Sequence, residues 1–483
     1  MQIFFILGIA VVLSAGAFLF KSVRLLGIVN ALGSLLALLA GAGLLRQVVL
    51  SRQPVSFFDF IYIDGLSAFF IFVIAIVAFA SSLYSIAYIR KNVEDGVISG
   101  EKAKAYYILF NLFCFSMFFV PAVNNLGMLW VAIEMTTLIS AFLVGFYNTK
   151  KSVEAAWKYI IICSVGIIFA LLGTILFSYA FSLCGGIKSL NWSDMVASAG
   201  KMDKNILKVA FIFILVGYGT KAGLAPMHTW LPDAHSQAVA PISALLSGVL
   251  LKTAVYAILR FGTIVIHGVG FSYFGNLMIL FGVISLVISS CFILVQKDLK
   301  RLLAYSSIEH VGIIAIGFGL GPALGGMGAL LHIFNHAVAK SLMFFGAGNI
   351  VRVYKKNNIN GIHGVISALP FTGVMMLLGV FALAGFPPFS IFISEILIVI
   401  AAFNKGAYGV AACVLLFLAV IFGAFVYSFG KMLFGNLPKD MVVTKEPLSG
   451  KLAFLFLFVQ MCALGVALPF ITKDILWIVQ SLF

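Results

Sequence analysis

The chain has 483 residues, 63% of them hydrophobic and 10% charged, with a mean hydropathy of +1.15. That composition excludes a soluble globular protein and fits a polytopic helical membrane protein, in which runs of about 20 apolar residues recur. The net charge of +15 comes without any basic block or nucleic-acid module, so its first meaning is membrane topology.

The apolar runs predict fourteen membrane-spanning segments, over residues 2–20, 25–45, 63–88, 105–120, 123–146, 156–182, 207–234, 237–263, 272–296, 302–320, 323–350, 366–404, 408–434 and 450–472. The first run is longer than a signal-peptide core and lacks a basic flank, so it reads as the first helix. Asp64, opening the third segment, reads as a helix cap. Loops following odd-numbered segments hold 19 of the 31 lysines and arginines, among them Lys439, and the opposite loops hold nine, including Lys188 and Arg260. By the positive-inside rule both termini face outward. The expected location is the inner (cytoplasmic) membrane of a prokaryote. The six cysteines (114, 163, 184, 291, 413 and 462) are scattered with no CxxC pair, which reads as small buried residues rather than a zinc or iron–sulfur site.

A few ionisable residues fall inside these segments, where a charge costs about 3 kcal/mol or more and marks function by default. Glu134 stands alone in LGMLWVAIEMTTLISAFLV. Lys221 lies beside Gly223 and Pro226, which break the seventh segment at mid-depth, and Asp233 and His235 follow at its inward mouth as candidates for proton uptake or for loop capping. Lys252 is deep in the eighth segment, beyond snorkelling reach of either end. Glu309 and His310 open the tenth, with auxiliary roles. His332, His336 and Lys340 recur every four residues in the eleventh and share one face. Glu395 follows a second break at Pro387 and Pro388 in the twelfth. Two histidines four apart can bind metal, but with a lysine beside them and no carboxylate on that face, a relay of titratable groups is the reading, with no metal and no cofactor in this chain.

LAPMHTWLPDA and LAGFPPFSIFISE are similar Pro-broken stretches in segments seven and twelve. Segments 4–8 (105–263) and 9–13 (272–434) therefore read as two five-helix repeats. An odd segment number inverts the second relative to the first, as in many transporters. Residues 1–104 form three leading helices and 435–483 a closing one. Chemically, the acids, lysines and histidines make a row along mid-membrane. A carboxylate such as Glu134 stabilises a neighbouring ammonium, and loss of that partner sends the proton onward.

The motifs WVAIEMTTL (130–138), KAGLAPMHTWLPDAH (221–235), QAVAPISALLSGVLLKTAVYAILR (237–260), DLKRLLAYSSIEHVG (298–312), HIFNHAVAKSLMFFGAGNI (332–350) and GFPPFSIFISE (385–395) resemble the antiporter-like subunits of the complex I, group 4 energy-converting hydrogenase and Mrp antiporter superfamily. EAAWKYIIICSVG (154–166) is closest in wording to its hydrogenase-4 component F branch. The resemblance covers all fourteen segments. It implies that Glu134 and Lys221 are an ion pair in one half-channel, that Lys252 connects, that His336 with His332 continues the axis, and that Glu395 ends the second half-channel. It further implies a proton-translocating (alternatively sodium-translocating) subunit of a redox-driven complex of the hydrogenase or formate hydrogenlyase type. A NiFe centre and Fe–S clusters would reside in partner subunits, a peripheral hydrogenase or dehydrogenase module alongside core and antiporter-like membrane subunits. An Mrp-type Na⁺/H⁺ antiporter subunit, a complex I pump, and a structural or inorganic-carbon uptake subunit are the other readings. The chain ends soon after the last segment, without the lateral helix of distal subunits, so a place between neighbours or beside the core module is expected.

Overall fold

The computed structural model describes residues 1–185, 189–437, 441, 443–480 and 482–483, without the side chains of 466 and 468–470. Lys188 and Lys439, counted above for topology, lie outside the described residues.

The chain is mostly helical, and among the described residues twelve helices are long and apolar enough to cross a membrane. The order opens with α1 (Gln2–Gly16) and α2 (Val23–Ser51), then a short antiparallel hairpin of β1 (Val55–Phe57) and β2 (Ile61–Ile63). There follow α3 (Gly65–Glu94), α4 (Gly100–Phe119), α5 (Leu126–Val144), α6 (Lys150–Leu183), the short α7 (Trp192–Ser198) and α8 (Lys204–Ala222). Next come α9 (Trp230–Gln237), α10 (Ala240–Leu245) and α11 (Leu251–Gly268), the last two joined by a π-helical turn at Leu246–Leu250. The remainder is α12 (Phe271–Val295), α13 (Leu299–Leu320), α14 (Leu324–Tyr354), α15 (Val365–Ala368), α16 (Pro370–Leu383), α17 (Ser390–Asn404), α18 (Tyr408–Leu433) and α19 (Leu448–Gln480).

Helix starts follow local chemistry. Ser22, Asp64, Ser99, Asn125, Thr149, Asp203 and Asp298 each accept a backbone N–H in the first turn of the helix that follows. In a bilayer these caps matter because an unmet N–H has no water to turn to.

The two interrupted segments fall where Gly and Pro stand. α8 stops at Gly223, held at φ +81°, and a turn through Pro226 leads to α9. α16 and α17 are separated by the stretch containing Gly385, Pro387 and Pro388. A proline lacks the N–H that would continue the helix, so backbone groups at the break take other partners: the Ala225 N–H donates to Ser285 Oγ at 2.9 Å and the Thr220 carbonyl accepts from Trp230 Nε1 at 2.8 Å.

α10, α11, α13 and α14 occupy the centre of the molecule. The apolar stretches of Ala240–Gly268 and Leu299–Leu320 are buried, whereas most of α18 and of α6 is not. The outer helices turn apolar side chains outward, as a lipid-facing surface does: Trp157, Ile168 and Phe142 are 60%, 62% and 69% exposed. The central helices can be polar because other protein surrounds them.

Candidate functional site

Lys221 occupies the last turn of α8, beside the break, and is fully buried. Its ammonium donates to Thr137 Oγ1 of α5 at 2.8 Å and to the Tyr159 hydroxyl of α6, whose ring centroid lies 4.7 Å away. Tyr159 is in turn hydrogen-bonded to Ser140 of α5 at 2.7 Å. The expected direct ion pair with Glu134 is not formed. No carboxylate lies within 4.0 Å of Lys221 among the described residues, and Glu134, half-buried on the outer side of α5, accepts from Ser164 of α6 at 3.0 Å through Oε1. Thr137, one turn along from Glu134, is what α5 offers Lys221 instead. The sequence signalled the two charges but not the hydroxyls between them.

Lys252 sits just after the π-helical turn. That turn leaves the Ser247 carbonyl free of its usual helical partner, and the Lys252 ammonium donates to it. On its other side Lys252 meets His336 Nδ1 of α14 at 2.5 Å. No hydrogen bond joins Lys221 to Lys252 among the described residues, so the row is interrupted there.

Beyond Lys252 the histidines cluster. His310 of α13 and His332 of α14 are hydrogen-bonded, Nδ1 to Nε2, at 2.9 Å, and the His310 and His336 rings are 4.5 Å apart. His332 Nδ1 reaches Ser394 Oγ of α17 at 2.9 Å, beside Glu395. His310, assigned an auxiliary role from sequence, therefore stands in the middle of the cluster. Ser394 went unnoticed, although its place beside Glu395 was a signal. Glu395 is 5% exposed, packs its carboxylate against Gly385 in the break, and lines a cavity of about 320 Å³ that reaches α18. Lys340 meets the same face of α13 nearer its start, donating to the Leu303 carbonyl at 2.8 Å and to Ser306, one turn before His310. Among the described residues, both oxygens of buried Glu309 lack a hydrogen-bond partner, as do His310 Nε2, His336 Nε2 and Glu395 Oε1. A buried polar atom without a partner costs about 1–3 kcal/mol, a penalty expected where groups exchange protons.

At the polar mouth, Asp233 is a bridge rather than a cap. It pairs with Arg301 of α13 at 2.5 Å and Lys158 of α6 at 3.4 Å, and lines a cavity of about 510 Å³ with Lys151, Glu154 and Asp298. His235, two residues on, is fully buried against Phe344, with neither ring nitrogen bonded among the described residues.

Arg260, counted above as a loop cation, is inside α11 and buried. It holds Asp64 through both carboxylate oxygens, at 2.6 and 2.7 Å, and lies between the Trp192 and Tyr256 rings. A guanidinium can be sequestered near a helix end because this fork satisfies it. Lys300 is likewise buried, donating to the Ala238 carbonyl at 2.9 Å.

Residues 123–423 match the family described as "NADH:quinone oxidoreductase/Mrp antiporter, TM". The chain is 38% identical over 407 residues to the hydrogenase-4 component F homolog of Methylacidiphilum infernorum, covering 84% of this chain and 85% of that protein. It is 31% identical over 392 residues to hydrogenase-4 component B of Escherichia coli, covering 77% of this chain but 56% of that one. Its fold is similar to a chain of the membrane-bound sulfane sulfur reductase, an archaeal respiratory membrane complex, with TM-score 0.88 and 24% identity over 100% of this chain and 96% of that one.

Proposed function

Because the chain belongs to the NADH:quinone oxidoreductase/Mrp antiporter membrane family, we propose that it is the proton-translocating, antiporter-like subunit of a redox-driven membrane complex of the group 4 hydrogenase type. One observation carries the reading. Titratable side chains on α8, α11, α13, α14 and α17 are buried, those from Lys252 through His336, His310 and His332 to the Glu395 end adjoin one another, and several have no bonded partner among the described residues, where a purely structural role needs none of this.

In this reading Glu134, Lys221, Lys252, His332, His336, Lys340 and Glu395 carry protons, and His310 and Ser394 bridge His332 to the Glu395 end. When Glu134 turns from Ser164 toward Lys221 it stabilises the ammonium; when it turns back, as here, Lys221 is left with neutral oxygens and its proton moves on. Asp233, His235 and the polar mouth supply protons, while Glu309 balances Lys340. The broken helices give the two half-channels their mid-depth openings. The crossings number fourteen in this reading: the twelve apolar helices, α14, and α16 with α17 as one broken crossing. Helices α4–α11 and α12–α18 would be the inverted repeats, with both termini outside the inner membrane. Partner subunits would supply the NiFe centre, the Fe–S clusters and the electrons. The identity to a hydrogenase-4 component F homolog supports that choice of partners over a stand-alone antiporter.

The test uses the purified complex in proteoliposomes, reading internal acidification and ²²Na⁺ uptake during substrate oxidation. Lys252→Ala should abolish acidification while leaving electron transfer measurable. Unchanged acidification in the variant would sink the reading. Sodium uptake that persists without acidification would reassign the ion.

A further inference from the structure

We propose that His310, His332 and Glu395 form an inhibitory binding site for Zn²⁺. One ligand atom from each lies within 4.8 Å of those from the other two, and all three residues are buried, at 0%, 0% and 5% exposure. They come from α13, α14 and α17, so the face of α14 alone gave no sign of the set.

Hydrogen bonds fix which nitrogens are free. The Ser394 hydroxyl gives its single proton to the Ile391 carbonyl at 2.8 Å, so it accepts from His332 Nδ1–H. His332 Nε2 therefore carries no proton and accepts from His310 Nδ1–H, a bond that zinc on His332 Nε2 would displace. That leaves His310 Nε2 bare as well, with no partner, and Glu395 Oε1 also has none. Two imidazole nitrogens and a carboxylate oxygen are a zinc set with an open fourth position, which a water fills in such sites. Ser394 serves as the outer support that zinc-bound histidines normally have. Ligands on one tetrahedral zinc stand roughly 3.3 Å apart, so the widest pair in a set lying within 4.8 Å must close by at most about 1.5 Å.

The surrounding charges define the consequence. Lys252 of α11 and Lys340 of α14 oppose a dication, and Glu309 of α13 offsets them. With His336 these groups belong to the same axis, so a zinc ion at its far end ties up His332 and Glu395 and stops ion movement.

The experiment measures metal directly, so it does not depend on the proposed transport. The intact complex, stripped by chelator and equilibrated with micromolar Zn²⁺, is assayed by metal analysis and zinc X-ray absorption against His332→Gln and Glu395→Gln. One additional equivalent in the wild type, with two imidazoles and one oxygen from protein, absent from both variants, is expected. Ser394→Ala should keep the site with about 10–100-fold weaker affinity. Equal zinc in wild type and both variants overturns the site. So does a wild-type spectrum without the two-imidazole component, a result independent of how the variants assemble.

Discussion

Asp64 and Arg260 show how one residue pair anchors several elements. Burial alone would raise the Asp64 carboxyl; the Arg260 charge, with bonds from Arg260 and Ser67, outweighs that and holds it below the ordinary carboxylate range. A carboxyl depressed in the folded state adds stability that is complete above about pH 4 and is lost as the pH falls through its folded value. The pair should therefore hold across neutral and mildly acidic pH and fail only in strong acid. Asp64→Asn should cost about 3–5 kcal/mol, since it strands a buried guanidinium, and a thermal melt in detergent reads that loss. At Lys221 the prediction is functional. Tyr159→Phe removes one of its two acceptors and should slow proton movement by roughly tenfold or more, with a loss of stability no greater than the about 1.5–3 kcal/mol of one bond to a charged group. A fall in stability with the rate unchanged would mean that Tyr159 only holds the fold.

At the scale of elements, the outer helix α12 is held to the central α13 through small residues. Between α12 and α13, a Cβ on Gly282 would meet the Gly312 carbonyl oxygen at 2.6 Å, and one on Gly319 would meet that of Gly275 at the same distance. Backbones this close leave no room for a side chain, which is how helices pack where hydrophobicity cannot drive association. Gly282→Leu should push α12 from α13 and lower the melting temperature by several degrees. Gly223 is a different case. Its φ of +81° costs an L-residue about 1–2 kcal/mol, and an added Cβ would also press on Leu231. Gly223→Ala should destabilise modestly yet depress transport more, because α8 and Lys221 end at that turn; equal effects on both would argue against a role for the break.

For the whole molecule, the buried polar axis and the apolar outer surface are two sides of one constraint. Ionisable groups survive in a bilayer only when protein surrounds them, so the helices carrying them, α11, α13 and α14, sit innermost. The orientation proposed from loop charges predicts that a cysteine placed before α1 reacts with an impermeant maleimide in intact cells. Labelling only after lysis would invert the assignment.

Much of this was legible in the residue order. Apolar length made the chain a helical membrane protein, Gly223, Pro226, Pro387 and Pro388 marked the breaks, and the isolation of Glu134, Lys221, Lys252 and Glu395 within apolar runs singled them out, because each of these signals is local and composition alone carries it. Which groups touch which was decided only in three dimensions. Arg260 read as a loop cation until Asp64, 196 positions earlier, met it. Lys221 turned out to rest on Thr137 and Tyr159 rather than on Glu134, and His310 moved to the centre of the cluster through His332 and Ser394. The physical reason is that hydrogen bonds reach about 3 Å and depend on direction, whereas a helix fixes only the neighbours three and four residues away. Contacts among α5, α6, α8, α13, α14 and α17 exist only after those helices have packed.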